Sequence, residues 1–158
     1  MTKEDVCCPR LDKANWDKKE HEWKNKLFYT KHYRSFFYIP TGFGKIMKNT
    51  LPILKDKGFF KGESSMILCR NEGMWGGDCC IEVSKKEAGM PIDTLSGKFF
   101  SMYFEGNYKD VGKFYKVMKK YCEEKGYDVT EFMSYYATCP DCMKKYGTAQ
   151  IILFARLT

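Results

Sequence analysis

The stretch Phe99–Gly126, FFSMYFEGNYKDVGKFYKVMKKYCEEKG, carries a strand, a tight turn and an amphipathic helix in one run. Val111, Phe114, Tyr115, Met118, Tyr121 and Cys122 recur at three- and four-residue spacing, and Lys113, Lys116, Lys119, Lys120, Glu123 and Glu124 fill the other face. That period is helical. Gly126 stands where a helix end favours a residue that tolerates positive φ. Ahead of the helix, Glu105-Gly106-Asn107-Tyr108 puts a carboxylate at the end of an apolar strand, beside a turn.

The pattern has an earlier counterpart. At an offset of 68 residues, Gly44-Lys45 matches Gly112-Lys113, Lys48 matches Lys116, Lys57-Gly58 matches Lys125-Gly126 and Phe36 matches Phe104. The first half reads as a strand at Tyr33–Ile39, a helix at Gly44–Lys57 interrupted by Pro52, and strands at Ser64–Arg70 and Asp78–Ser84. The second half repeats that order and ends in the strand Ala149–Leu157, after an insertion at Cys139–Gly147. Residues 1–25 read as a polar N-terminal arm in which only Glu20–Lys24 alternates weakly. Residues 26–158 form the domain, with halves at about 26–90 and 91–158. The expected fold is α+β: duplicated strand–helix–strand–strand modules related by a pseudo-twofold axis, an antiparallel sheet, helices on one face and a central ligand cleft. At the same offset Glu105 replaces Phe37, an acid in place of an apolar residue, which singles it out as a site residue.

The composition narrows the function. Hydrophobic residues make up 44% of 158 residues, enough for a core, and 12 Phe, 11 Tyr and 3 Trp exceed what packing alone needs. An aromatic-lined pocket would use that excess. The net charge of +7 is spread among interspersed Lys, Asp and Glu, which reads as a solvated surface. A nucleic-acid partner would want a concentrated patch or a known module, so none is expected. No apolar run approaches membrane-spanning length and residues 1–26 are too charged for a signal peptide. A cytoplasmic protein without membrane contact is expected, its 8 Cys mostly reduced thiols.

Glu105 is the candidate catalytic residue, since a carboxylate desolvated by Phe and Tyr could act as a general base on water. Its plain alternative is an exposed strand-end acid beside a helix start. Tyr38, Trp75, Tyr103, Tyr108 and Tyr135 are the candidate ligand-binding residues: Trp75 as a stacking lid on a Gly-rich loop, the tyrosines through ring faces and hydroxyls. Tyr135 and Tyr136 point to opposite sides of one strand, so at most one of them lines a cleft. Asp78 and Glu82 share a strand face, and Glu82 is read as a solvent-facing charge. Cys139-Pro140-Asp141-Cys142 has the form of half a zinc knuckle. Cys7, Cys8, His21 and His32 could complete it, and Cys8, Cys139 and Cys142 are the candidate metal ligands. No cofactor is required by any reading; structural zinc is the alternative to a reduced hairpin or a redox pair. Cys69, Cys79, Cys80 and Cys122 read as small core hydrophobes.

Phe104-Glu105-Gly106-Asn107-Tyr108 leading into a helix that ends at Gly126, within a duplicated strand–helix–strand–strand chain, resembles the GyrI-like small-molecule-binding domain, the effector-binding part of multidrug-sensing transcription regulators. Glu105, Gly106, Tyr108 and Gly126 fill the places of its motif, and the resemblance spans about residues 26–158. It implies a cleft for flat, aromatic, often cationic or electrophilic molecules. Some stand-alone members resemble hydrolases that open cyclopropane-containing natural products with water, and others bind drugs or inhibit gyrase. Relatives often carry an acid early in the last strand; here Gln150-Ile151-Ile152 stands there. The expected function is binding of a small hydrophobic or aromatic ligand, with two alternatives: a hydrolase using Glu105 as general base, and a gyrase-inhibitor-like interaction module with an unknown protein partner. Whether the chain is an enzyme is open at this level.

Overall fold

The computed structural model describes residues 8, 10–36, 43–60, 65–70 and 73–158. Tyr38 and Cys7 lie outside them, as do residues 37–39 of the strand expected at Tyr33–Ile39. Six strands and three helices follow in the order β1 (Lys19–Arg34), α1 (Phe43–Asp56), β2 (Ile67–Arg70), β3 (Gly76–Val83), β4 (Ile92–Gly106), α2 (Val111–Lys125), β5 (Val129–Tyr136), α3 (Pro140–Tyr146) and β6 (Ala149–Leu157). The fold is α+β, and every described strand pairing is antiparallel. Two compact units divide the chain, Lys24–Ser96 and Met1–Trp23 with Gly97–Thr158. No described helix is long and apolar enough to cross a membrane.

In the unit Lys24–Ser96, β3 pairs with both β1 (Leu27 opposite Val83) and β2 (Ile67 opposite Ile81). Phe28, Leu54, Leu68, Cys79, Cys80 and Ile81 are buried there. The first strand is longer and earlier than Tyr33–Ile39. Its alternation is broken at Asn25, whose left-handed backbone (φ 50°) presents its N–H to Ser96 Oγ at 2.8 Å. That break hides the strand from a period-two reading. Glu82 corrects its solvent-facing reading. It is 3% exposed, its carboxylate 3.1 Å from Lys26 Nζ and accepting the Met66 N–H at 3.1 Å. The stem of Lys26 covers the charge it neutralises.

In the second unit β6 is the central strand, between β4 (Glu105 opposite Gln150) and β5 (Tyr135 opposite Ile152). The helix read from Val111–Gly126 forms as its period dictates. Met118 and Cys122 pack on Phe100, Met102, Ala149, Ile151 and Leu153, and Phe104 stacks on Phe114 at 4.7 Å. Burying a side chain such as Met118 or Phe100 contributes about 1.5–3 kcal/mol each. Gly126 takes φ 72° and donates its N–H to the last carbonyls of α2. Just ahead of α2, the 3-10 turn Tyr108–Asp110 is capped reciprocally: the Asn107 side chain accepts the Lys109 N–H while the Asp110 carboxylate accepts the Asn107 N–H. Gly106 is a glycine because a Cβ there would meet Phe114 Cζ at 2.9 Å. The Cys139–Gly147 insertion, read as a turn, is the helix α3. Cys139 caps it, its Sγ accepting the Cys142 N–H at 3.5 Å, and Gly147 closes it with φ 82°.

Candidate functional site: the arm-covered face of the C-terminal sheet

Strand alternation sends Phe100, Met102 and Phe104 toward α2, so Ser101, Tyr103 and Glu105 project from the opposite face. Register adds Gln150 and Phe154 from β6 and Tyr135 from β5 to that face. The N-terminal arm lies across it. Gln150 holds the arm by both ends of its amide: Oε1 accepts the Leu11 N–H at 2.7 Å, and Nε2 donates to Leu11 O at 2.9 Å. The same Nε2 donates to Tyr103 Oη at 2.7 Å. Tyr103 in turn donates to Glu105 Oε1, which also accepts Arg10 Nη2 at 2.8 Å. Asp17 accepts the Tyr103 N–H at 3.3 Å, and Lys13 Nζ lies 6.0 Å from the Tyr103 ring centre.

The relay Gln150–Tyr103–Glu105–Arg10 runs from the buried interior to solvent. Gln150 is 2% exposed, whereas the side chains of Glu105 and Arg10 are 42% and 37% exposed. Burial, followed by the hydrogen bond to Glu105, pushes the Tyr103 hydroxyl above its ordinary range, so it stays protonated and donates. Both donors to Glu105 use Oε1, and Oε2 has no hydrogen-bond partner among the described residues. Farther along the face, Trp16 meets Tyr135 edge-on at 5.9 Å, Phe154 at 6.1 Å and His21 at 5.7 Å. Ser101 donates to Trp16 O at 2.6 Å, which leaves His21 Nε2 as the donor in its 2.7 Å contact with Ser101 Oγ. A carboxylate held by a tyrosine and matched by a cation, on a face that also carries aromatic rings, can pair with a cationic ligand or accept a proton from water.

Of the residues expected at a site, Glu105, Tyr103 and Tyr135 share this face. Tyr108 packs on the α2 side of the sheet against Tyr136 at 5.9 Å and donates to Thr138 O. Burial pushes its hydroxyl up, with the thiols of Cys139, Cys8 and Cys142 adding to the shift. Trp75 belongs to the unit Lys24–Ser96, 61% exposed and edge-on to Phe36 at 6.1 Å. Asp78 there pairs with His32 at 3.2 Å. Arg10, Asp17, Trp16 and Gln150 join the face without having been read as site residues, and His21, read only as a possible metal ligand, joins it too. Of the first four, Gln150 alone gave a signal, as an amide where relatives carry an acid.

The arm also brings Cys8 to Cys139 and Cys142, their sulfurs all within 4.8 Å of one another. Such a set could hold a soft divalent ion. His21 and His32 are committed elsewhere, to Ser101 and Asp78.

The sequence profile of the family described as "Bacterial hydrolase" matches residues 1–157. No curated protein matches the chain in sequence. Solved structures share its fold. The C-terminal domain of EcmrR is 12% identical at a TM-score of 0.68, covering 90% of this chain and 98% of its own. EcmrR within a DNA complex is 14% identical at 0.60, covering 90% and 57%. A hydrolase from Listeria innocua is 9% identical at 0.56, covering 90% and 93%. A protein solved bound to tetraphenylphosphonium is 10% identical at 0.52, covering 90% and 94%.

Proposed function

The chain belongs to the family described as "Bacterial hydrolase", and from that premise we propose that it is a small-molecule-binding domain of the GyrI-like kind, which takes an aromatic, cationic molecule at Glu105. The observation that carries this reading is Glu105 itself. Its carboxylate is half-exposed, oriented by Tyr103 and already paired with a cation, Arg10, that the arm supplies. A ligand cation would take the place of Arg10, and its aromatic groups would extend along the face toward Trp16 and Tyr135. The shared fold with a protein solved with tetraphenylphosphonium supports a ligand of that chemistry.

The test is a matched pair of titrations with tetraphenylphosphonium and neutral triphenylphosphine oxide. Glu105→Gln is expected to weaken the cation by about tenfold, about 1.4 kcal/mol, and to leave the neutral compound within about twofold. Arg10→Ala is expected to strengthen the cation. Equal loss for both compounds, or no binding by the unaltered protein, contradicts the reading.

A second reading, hydrolysis, is favoured by the unpartnered Glu105 Oε2 and the family description. Here Oε2 takes a proton from water, and the water oxygen bonds to the electrophilic carbon of a strained ring. The ring bond breaks, its electron pair takes up the proton that Glu105 removed from water, and the carboxylate is restored. Unchanged turnover of an electrophilic cyclopropane by Glu105→Gln would end that reading.

A further inference from the structure

We propose that Cys8, Cys139 and Cys142 bind a zinc ion that clasps the N-terminal arm over the Glu105 face. Three thiols converge from two distant segments, all within 4.8 Å of one another. Around tetrahedral zinc, with Zn–S about 2.3 Å, sulfurs lie about 3.8 Å apart, so closing the set needs shifts of about 1 Å at most. Backbone N–H groups already point at the sulfurs: Cys8 Sγ accepts the Cys139 N–H at 3.3 Å and Cys139 Sγ accepts the Cys142 N–H at 3.5 Å. Hydrogen bonds to the charged form are what a thiolate ligand needs. The four remaining described cysteines, Cys69, Cys79, Cys80 and Cys122, are core residues, and burial raises the thiols of Cys79, Cys80 and Cys122. Cys8 and Cys139 are instead half-exposed, with Cys142 buried beneath them, which gives an ion an approach from solvent. All three donors are soft sulfur, which selects zinc over calcium or magnesium. Water or an outside ligand would take the fourth tetrahedral position.

The placement gives the ion a task. Cys8 stands two residues before Arg10 and three before Leu11, which bind Glu105 and Gln150. The Cys8 carbonyl accepts the Tyr146 hydroxyl at 2.8 Å, and the Arg10 guanidinium lies 5.0 Å over the same ring. A metal holding Cys8 therefore holds Arg10 on Glu105. Zinc should oppose a cationic ligand, and its removal should free the carboxylate; this coupling rests on the ligand reading above.

The experiment uses the full, untagged, reduced chain stripped with a chelator and titrated with Co2+ and then Zn2+. One equivalent of Co2+ should give sulfur-to-metal charge-transfer absorption that Zn2+ displaces. Cys8→Ser, an arm substitution that spares the core, should weaken binding at least about tenfold. The zinc form should bind tetraphenylphosphonium about fivefold or more weakly than the stripped form, and Cys8→Ser should abolish that difference. Absence of the charge-transfer band from the reduced chain overturns the site. Metal affinity unaltered by Cys8→Ser overturns the clasp. If zinc protects the arm from protease while neither form binds the cation, the clasp stands and the ligand reading falls.

Discussion

Gln150 meets the backbone of Leu11 with both a donor and an acceptor, and its Nε2 reaches Tyr103 as well. A carboxylate at 150 could accept the Leu11 N–H but could donate to neither Leu11 O nor Tyr103 Oη. The amide thus fits a chain whose own arm covers the face. Its role depends on Leu11, far away in sequence, and no local pattern reports such an apposition. Arg10 was illegible for the same reason. Glu105 was legible because the end of an apolar strand and the missing counterpart acid in the first half marked it. Tyr103→Phe keeps the ring and removes the hydroxyl that links Gln150 to Glu105. It should cost about 1 kcal/mol, measured by chemical denaturation. A loss near zero would show that the relay adds nothing to stability.

Among the elements, α2 could be read in advance because fifteen residues give the helical period room to show and Gly126 marks its end. The seven residues of α3 span two turns, too few for a period, and the Cys-Pro-Asp-Cys chemistry drew the reading toward a knuckle. In β1 the left-handed Asn25 breaks the alternation. Glu82 was misread because the Lys26 charge that permits its burial comes from another strand. Under the proposed function the arm decides access to Glu105, and its hold is modest: a few hydrogen bonds and the rings around Trp16. Trp16→Ala should cost about 2 kcal/mol, less than a fully buried tryptophan, and should expose Lys13, Lys18 and Lys19 to trypsin ahead of the rest of the chain. Unchanged cleavage order would mean that the arm is held by its polar contacts alone.

At the scale of the molecule, β3 pairs with β1 and β2, and β6, which follows α3, pairs with β4 and β5. The antiparallel α+β class was visible in the alternation of strand and helix patterns; the covering of the Glu105 face by the arm was not, because it rests on long-range pairing. The buried cysteines give the whole fold an alkaline limit. Burial, with neighbouring Cys80, pushes the Cys79 thiol up to about 12 from 9.0, and burial also raises Cys80 and Cys122. The folded state keeps protons that the unfolded chain releases. This contribution is therefore complete below pH 9 and is lost between pH 9 and about 12. Unfolding free energies from urea melts under reducing conditions should fall across that window by about 1.4 kcal/mol per pH unit for Cys79, with a shallower fall in Cys79→Ala. The Glu105 face itself is tested most directly by a crystal structure of the chain with tetraphenylphosphonium. The account predicts the cation beside the Glu105 carboxylate, a phenyl ring against Trp16 or Tyr135, and Arg10 displaced from its 2.8 Å pairing. A cation bound elsewhere with the Arg10–Glu105 pair intact would contradict it.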